Sequence, residues 1–284
     1  VATIREIRRR IKSVQSTAKI TKAMEMVAAS RMRRAQEHTI AARPYAEKMR
    51  EVLADLAAQR QEDEEPQPLL VQRPVKKIEL IHITSDRGLC GGLNANINRT
   101  AASFIMEQSV PVTTVTLGLK GRVFMMRSGQ QVRAEFTRIG DRPSVADVLP
   151  VARIVIDDYT NAVVDQVYLC YTQFVTTVTQ KPMLWQLLPI EGAAEPGRHT
   201  EYIYEPSPQE VLAQLLPRFI EMQLYHALLE SIASEQSARM VAMRNATDNA
   251  NDLIEELTLT RNKLRQEMIT EELMDITGGA AALV

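Results

Sequence analysis

No stretch of this sequence holds the roughly 18 consecutive apolar residues that a membrane-spanning helix needs. No signal peptide is visible at its start. Cysteine is nearly missing: Cys90 and Cys170 are the only two in 284 residues. They stand far apart without a ligand pattern around them, which argues against a zinc site and against a disulfide framework. Cys170 lies in an apolar, strand-like run and reads as a buried thiol. Aromatic residues make up only 5%. Residues 3–58 contain no glycine and one proline, Pro44, so little there interrupts a helix. The four histidines, His38, His82, His199 and His226, are scattered at spacings that suit no metal site. His82 falls within a strand pattern and reads as a core or edge histidine.

What is present is a charge asymmetry. Residues 1–50 carry 13 Lys/Arg against 4 Asp/Glu, whereas residues 205–284 carry 6 against 13. The two ends favour association if they meet. Both ends also read as helix. Near the start, Ile4, Ile7, Ile11, Val14, Ala18 and Thr21 alternate by three and four, a heptad seam with a polar interruption. Pro44 should bend this helix or be absorbed locally. Ser207 reads as the cap of a last helix running from about Pro208 to Met274. Ala246, Ala250, Leu253, Leu257, Leu264 and Met268 supply its seam. At ~1.5 Å per residue such a helix would reach roughly 100 Å.

Between the helices the texture changes. QEDEEPQP (61–68) reads as an exposed linker. Strand patterns at Lys77–Thr84, Val110–Leu117 and Val163–Thr172 are apolar and β-branched, with weaker ones at Gln131–Phe136 and Met183–Ile190. Helices read at Asn94–Gln108, Gly118–Met126 and Val145–Asn161, the last capped by Ser144 with Asp147 in its first turn. Tyr202–Glu205 reads as a short extended piece. The order implies an α/β domain with a largely parallel sheet. The expected fold is an antiparallel coiled coil of N- and C-terminal helices with an inserted α/β domain. Its parts are 1–60 helix, 61–76 linker, 77–206 body and 207–284 helix.

Candidate chemistry is thin. SDRGLCGGLN follows a strand and precedes a helix, a context that suits a phosphate-cradling loop. Its glycine spacing matches neither GxGxxG nor GxxxxGK[ST], and a tight structural turn is the plainer reading. No catalytic, cofactor or metal residue is assigned. The basic run Arg8-Arg9-Arg10 with Lys12, and Arg31, Arg33 and Arg34, could track phosphates or meet an acidic protein surface. An apolar seam continues through these residues, which favours the protein contact over nucleic acid.

Three segments together are similar to one family. IRRRIKSVQSTAKITKAMEMVAASRMRRAQ, ITSDRGLCGGLN, and SEQSARMVAMRNATDNANDLIEEL with NKLRQEMITEELMDITGGAAAL resemble the gamma subunits of F-type ATP synthases, in order and over nearly the whole chain. The resemblance implies a Rossmann-like body and a non-catalytic rotor shaft. Such a shaft turns inside a ring of alpha and beta subunits and stands with epsilon on the membrane c ring. It would be peripheral on the cytoplasmic face of a bacterial plasma membrane, or on the matrix side in a mitochondrion. By motif, Met24 would face an acidic lever loop of beta. Arg265, Gln266, Thr270 and Glu272 would engage a beta loop as a catch. Arg239 would bear on coupling, and Tyr202 and Glu205 would touch the c ring. The plastid form's inserted cysteine pair has no counterpart here, so thiol switching by that route is not expected.

Overall fold

The computed structural model describes residues 3–58, 67–190 and 204–281. Its elements run α1 (Ile4–Ala58), β1 (Ile78–Ile83), α2 (Leu93–Glu107), β2 (Val112–Leu117), α3 (Leu119–Arg127), β3 (Gln131–Phe136), α4 (Val145–Thr160), β4 (Gln166–Phe174), β5 (Gln180–Leu188) and α5 (Pro208–Ala281). They form two compact units, residues 1–28 with 240–284, and residues 29–239.

The first unit is a pair of helices. Ile7, Ile11, Ala18, Thr21 and Ala28 are buried along α1, with Ile4 and Val14 half-buried. That is the seam expected from the isoleucine spacing. On α5 the seam runs through Met243, Thr247 and Ala250, all buried, then through half-buried Ile254, Leu257, Arg261 and Leu264. Of the residues expected there, Leu253 and Met268 are 41% and 50% exposed. A step of three and a step of four from Ala250 both reach an apolar side chain, and the partner helix takes Ile254. Thr21 meets Thr247 across the seam at 2.7 Å. In the other unit Ala35, Met49 and Leu53 of α1 share a core cluster with Leu212 to Ala233 of α5. Numbers rise on one helix as they fall on the other, so the pair is antiparallel. The helix continues through Pro44 without a break.

The second unit is built on a five-stranded sheet of order β3-β2-β1-β4-β5. β1 to β4 are parallel, and β5 is an antiparallel edge on β4. All six residues of β1 are buried, because both faces of the sheet are covered. Ile81 and Ile83 join the cluster containing Val148, Val155, Leu216 and Ile220, which puts α4 and the long helices on one face. Ile78 and Leu80 pack with Ile97, Ala101 and Phe104, which puts α2 on the other. Ser144 and Asp147 close a capping box, with Ser144 N donating to Asp147 Oδ2 at 2.7 Å. Ser207 caps α5 through Glu210 N at 3.3 Å.

Two strands start elsewhere than their sequence suggests. β4 begins at Gln166, because Val163 N and Val164 N donate to Asp158 O and Asp165 N donates to Lys77 O. β5 begins at Gln180 rather than Met183, its polar start pairing with Phe174. Ahead of the sheet, Leu69 is buried in a short 3-10 turn at Pro68–Leu70. Tyr159 OH donates to Val71 O at 2.6 Å, and Arg73 lies 4.6 Å above the Tyr159 ring. Lys76 N and Lys77 N both donate to Asp165 Oδ2. Of the acidic segment 61–68, residues 61–66 lie outside the described residues.

Candidate functional site

Arg265 to Gly278 are all exposed. With Thr21 opposite Thr247, Arg265 falls opposite the start of α1, and the helix beyond it is clear of the described part of its partner. Arg265 and Glu272 are seven residues apart and share one face, while Gln266 and Thr270 share the next. Thr270 Oγ1 donates back to Gln266 O at 2.9 Å. Neither Arg265 nor Glu272 has an ion-pair partner among the described residues. Met268, Ile269, Leu273, Met274 and Ile276 are interleaved with them and are 49–68% exposed. This is a surface of mixed charge and apolar bulk on a single helix.

Met24 lies elsewhere. It is half-buried on α1, one turn past Thr21, next to exposed Met26 and Val27. Lys22 Nζ and Glu25 Oε2 pair beside it at 3.0 Å. By the antiparallel register Met24 sits level with about residue 244, roughly 30 Å along the helix from Arg265. The two positions therefore lie well apart along the helix pair.

Arg239 is buried in the second unit. Its Nη2 donates to Glu235 Oε1 at 2.6 Å and to Gly88 O at 3.1 Å. Burial raises the Glu235 carboxyl pKa, and the Arg239 charge opposes that rise. Gly88 belongs to SDRGLCGGLN, whose polar side chains bond within the loop and to the backbone of neighbouring segments. Ser85 Oγ donates to Arg87 O at 2.6 Å, and Asn94 Nδ2 donates to Ser85 Oγ at 2.7 Å. Asp86 accepts from Leu119 N, at the start of α3, and from Arg138 N, both at 2.9 Å. In a doubly wound sheet a ligand sits outside the carboxyl ends of the strands, where the strand order reverses. Here the space beside Ser85, Asn94 and Thr172 is lined by Leu228, Ser231 and Ile232 of α5. The chain's own helix takes that place, and the loop is the structural turn of the two readings open in the sequence.

Glu205 is exposed just ahead of α5. Tyr202 lies outside the described residues. Cys90 and Cys170 are both free and buried, and burial pushes the Cys170 thiol up to about 12. Sequence reasoning missed the row Ser231, Ser234 and Ser237. Its signal was present as serines three apart in SIASEQS, but serine on a helix ordinarily reads as a solvated face.

The ATP synthase family model matches residues 3–283. An ATP synthase gamma chain of Dehalococcoides mccartyi is 61% identical over 284 residues, covering all of both chains. One from Herpetosiphon aurantiacus is 50% identical, covering 100% of this chain and 99% of its own. The chain belongs to the ATP synthase gamma-chain family. Among solved structures, the central stalk and c ring of the Tetrahymena thermophila mitochondrial ATP synthase match at 27% identity and TM-score 0.62. That match covers 80% of this chain and 99% of the other. A Euglena gracilis mitochondrial ATP synthase chain matches at TM-score 0.69 and 19% identity, over 99% of this chain and 94% of its own, a likeness of fold.

Proposed function

We infer that this chain is the non-catalytic central rotor shaft of an F-type ATP synthase, coupling ion-driven rotation to ATP synthesis or hydrolysis on other subunits. The full-length match to gamma chains at 61% identity carries the reading. The exposed helix from Arg265 to Gly278 agrees with it, since a shaft needs a surface for others to grip. Among the described residues no helix is long and apolar enough to cross a membrane, which suits a peripheral subunit of a membrane complex.

The finer assignments belong to this proposal. The shaft turns within a ring of alpha and beta subunits, and epsilon and the c ring hold its foot. It lies on the cytoplasmic face of a bacterial membrane. Met24 meets a beta lever loop; Arg265, Gln266, Thr270 and Glu272 form a catch on beta; Arg239 bears on coupling; Tyr202 and Glu205 touch the c ring. The division at 1–60, 61–76, 77–206 and 207–284 is the working division into shaft, connector, body and shaft.

Reconstitution with alpha and beta tests the reading. The expected product is a complex with three copies of each per copy of this chain, hydrolysing ATP while a probe on this chain rotates. Cys90 and Cys170 are buried, so the probe belongs on an introduced cysteine such as Met106→Cys, at a side chain 85% exposed. A chain that binds neither alpha nor beta, or that instead forms a salt-sensitive DNA complex, would overturn it.

A further inference from the structure

The span Ser231–Arg239 of α5 is held unlike the turns before it. From 212 to 228 the helix packs mainly through apolar side chains, with Tyr225 OH donating to Pro143 O at 3.3 Å and with Ala213, Gln214 and Arg218 exposed near its start. From 219 to 243 every residue is buried or half-buried, and within that stretch residues 231–239 gather the polar bonds to the body. Ser231 Oγ accepts from Thr172 N at 3.3 Å, and Ser234 Oγ donates to Thr172 O at 3.1 Å. Ser237 Oγ donates to Thr177 O at 2.6 Å. Gln236 Nε2 donates to Asp141 Oδ1 at 3.2 Å, and Arg239 reaches Gly88 O. These bonds end on β4, the β4–β5 turn, the segment ahead of α4 and the loop after β1. Asp141 also holds Arg31 of α1 at 2.5 Å, so one carboxylate ties both long helices to the body.

Direction separates this grip from ordinary packing. At ~100° per residue, Ser231, Ser234, Gln236, Ser237 and Arg239 point outward through about 260° of the helix circumference. Apolar contact is non-directional, and a helix held by it alone can roll. Hydrogen bonds weaken steeply as their angle opens, so bonds spread around a helix resist its rotation about its own axis. We propose that Ser231, Ser234, Gln236, Ser237 and Arg239 form a polar collar that fixes the rotation of α5 in the body and passes torque between this helix and the sheet. They are positioning residues, and the proposal rests on the shaft reading above.

The test replaces Ser231, Ser234 and Ser237 together by alanine in the complete membrane complex, reconstituted in vesicles. Ions transported per ATP hydrolysed are read with dyes for protons and for sodium at increasing opposing gradient. ATP hydrolysis by the complex with alpha and beta alone should stay within about two-fold of the parent. Transport per ATP should fall by about three-fold or more, and further as the gradient rises. A ratio equal to the parent's at every gradient overturns the collar. Ser237→Ala alone is the second variant. Its partner Thr177 O also accepts from Gln180 Nε2 at 3.1 Å and keeps that donor in the variant, so folding is spared. A smaller loss of the same kind is expected, and if the triple variant does not assemble, an unchanged ratio in Ser237→Ala overturns the proposal. A parent complex that lacks alpha and beta, or that does not couple, would count against the shaft reading instead.

Discussion

Thr21 and Thr247 face each other across the buried seam of the helix pair, their hydroxyl oxygens 2.7 Å apart. Thr21 Oγ1 also reaches Ala18 O at 3.1 Å, and Thr247 Oγ1 reaches Met243 O at 2.9 Å. Two hydroxyl protons serve these three contacts. One threonine therefore donates across the seam while the other donates to its own helix. A polar pair in an apolar seam fixes register at some cost in stability, because a slip leaves each hydroxyl against hydrocarbon.

Replacing one threonine by valine should cost about 1 kcal/mol, because the other hydroxyl loses its cross-seam partner. Replacing both should cost less than the sum of the single changes, and can come out near neutral. Urea unfolding of the four proteins in a double-mutant cycle measures the coupling, expected at about 0.5–1.5 kcal/mol. Additive single effects would show that the pair does not act as a unit.

Glu79 and His82 give stability an opposed pH dependence. Glu79 is fully buried in β1, and neither carboxylate oxygen has a hydrogen-bond partner among the described residues. Burial first, then Asp158, push its pKa up to about 7, against the pull of Arg133 and Lys77. The folded chain thus holds a proton that the unfolded chain releases near 4.5, and stability falls as pH rises through 7. His82 is fully buried and bonded to Asn98 at 2.8 Å, and burial lowers its pKa to about 4. The unfolded chain takes up that proton near 6.5, so stability falls as pH drops from 6.5 to 4. Between about 4.5 and 6.5 the two slopes cancel. Glu79→Gln should therefore raise stability at pH 8, by at most about 3 kcal/mol. It should also expose a stability that climbs with pH from 4 to 6.5. Melting temperatures at half-unit steps check both; a variant curve parallel to the parent's would refute the assignment to Glu79.

The elements most legible in the sequence were those whose residues face one environment throughout. Ile4, Ile7 and Ile11 have no competing apolar neighbour at the next step, so the α1 seam reads directly. β1 is covered on both faces and reads as an apolar run. The α5 seam was ambiguous because Leu253 and Ile254 adjoin, and only the partner helix decides between them. Gln180 and Lys181 open β5 on an edge that needs no apolar run. The collar was hidden for a different reason: serine hydroxyls become structural only when backbone groups from β4 and the β4–β5 turn arrive beside them. The positions on Arg265 to Glu272 carry no such internal mark, being exposed, and their motif rather than their pattern pointed to them.

Gly118 separates β2 from α3 with φ at +100°, and a Cβ there would stand 2.1 Å from Thr84 O. Its N–H also donates to Phe136 O at 2.8 Å, so the backbone has little freedom to move away. Gly118→Ala should cost more than about 3 kcal/mol through strain and clash together. Gly129 is the control. It has φ at +70°, and a Cβ there would meet nothing within 4 Å. Asparagine tolerates that region, so Gly129→Asn should cost under about 1 kcal/mol. Thermal melts should separate the two by about 4 °C or more, and similar melting temperatures would show that the close approach at Thr84 yields readily.

The two zones on the helix pair should act independently. Met24 is half-buried among exposed Met26 and Val27, so Met24→Lys places a charge at an apolar surface without opening the core. Arg265→Ala removes an exposed cation that has no ion-pair partner among the described residues, so neither change should prevent folding or assembly. In the reconstituted complex each should lower ions transported per ATP hydrolysed several-fold while hydrolysis persists. Sites more than about 10 Å apart without shared partners usually add within ~0.5 kcal/mol, and these lie roughly 30 Å apart. The double variant should therefore show the product of the two single losses. A double no worse than the poorer single would mean that both side chains serve one contact on the partner, and the separation into two zones would fall.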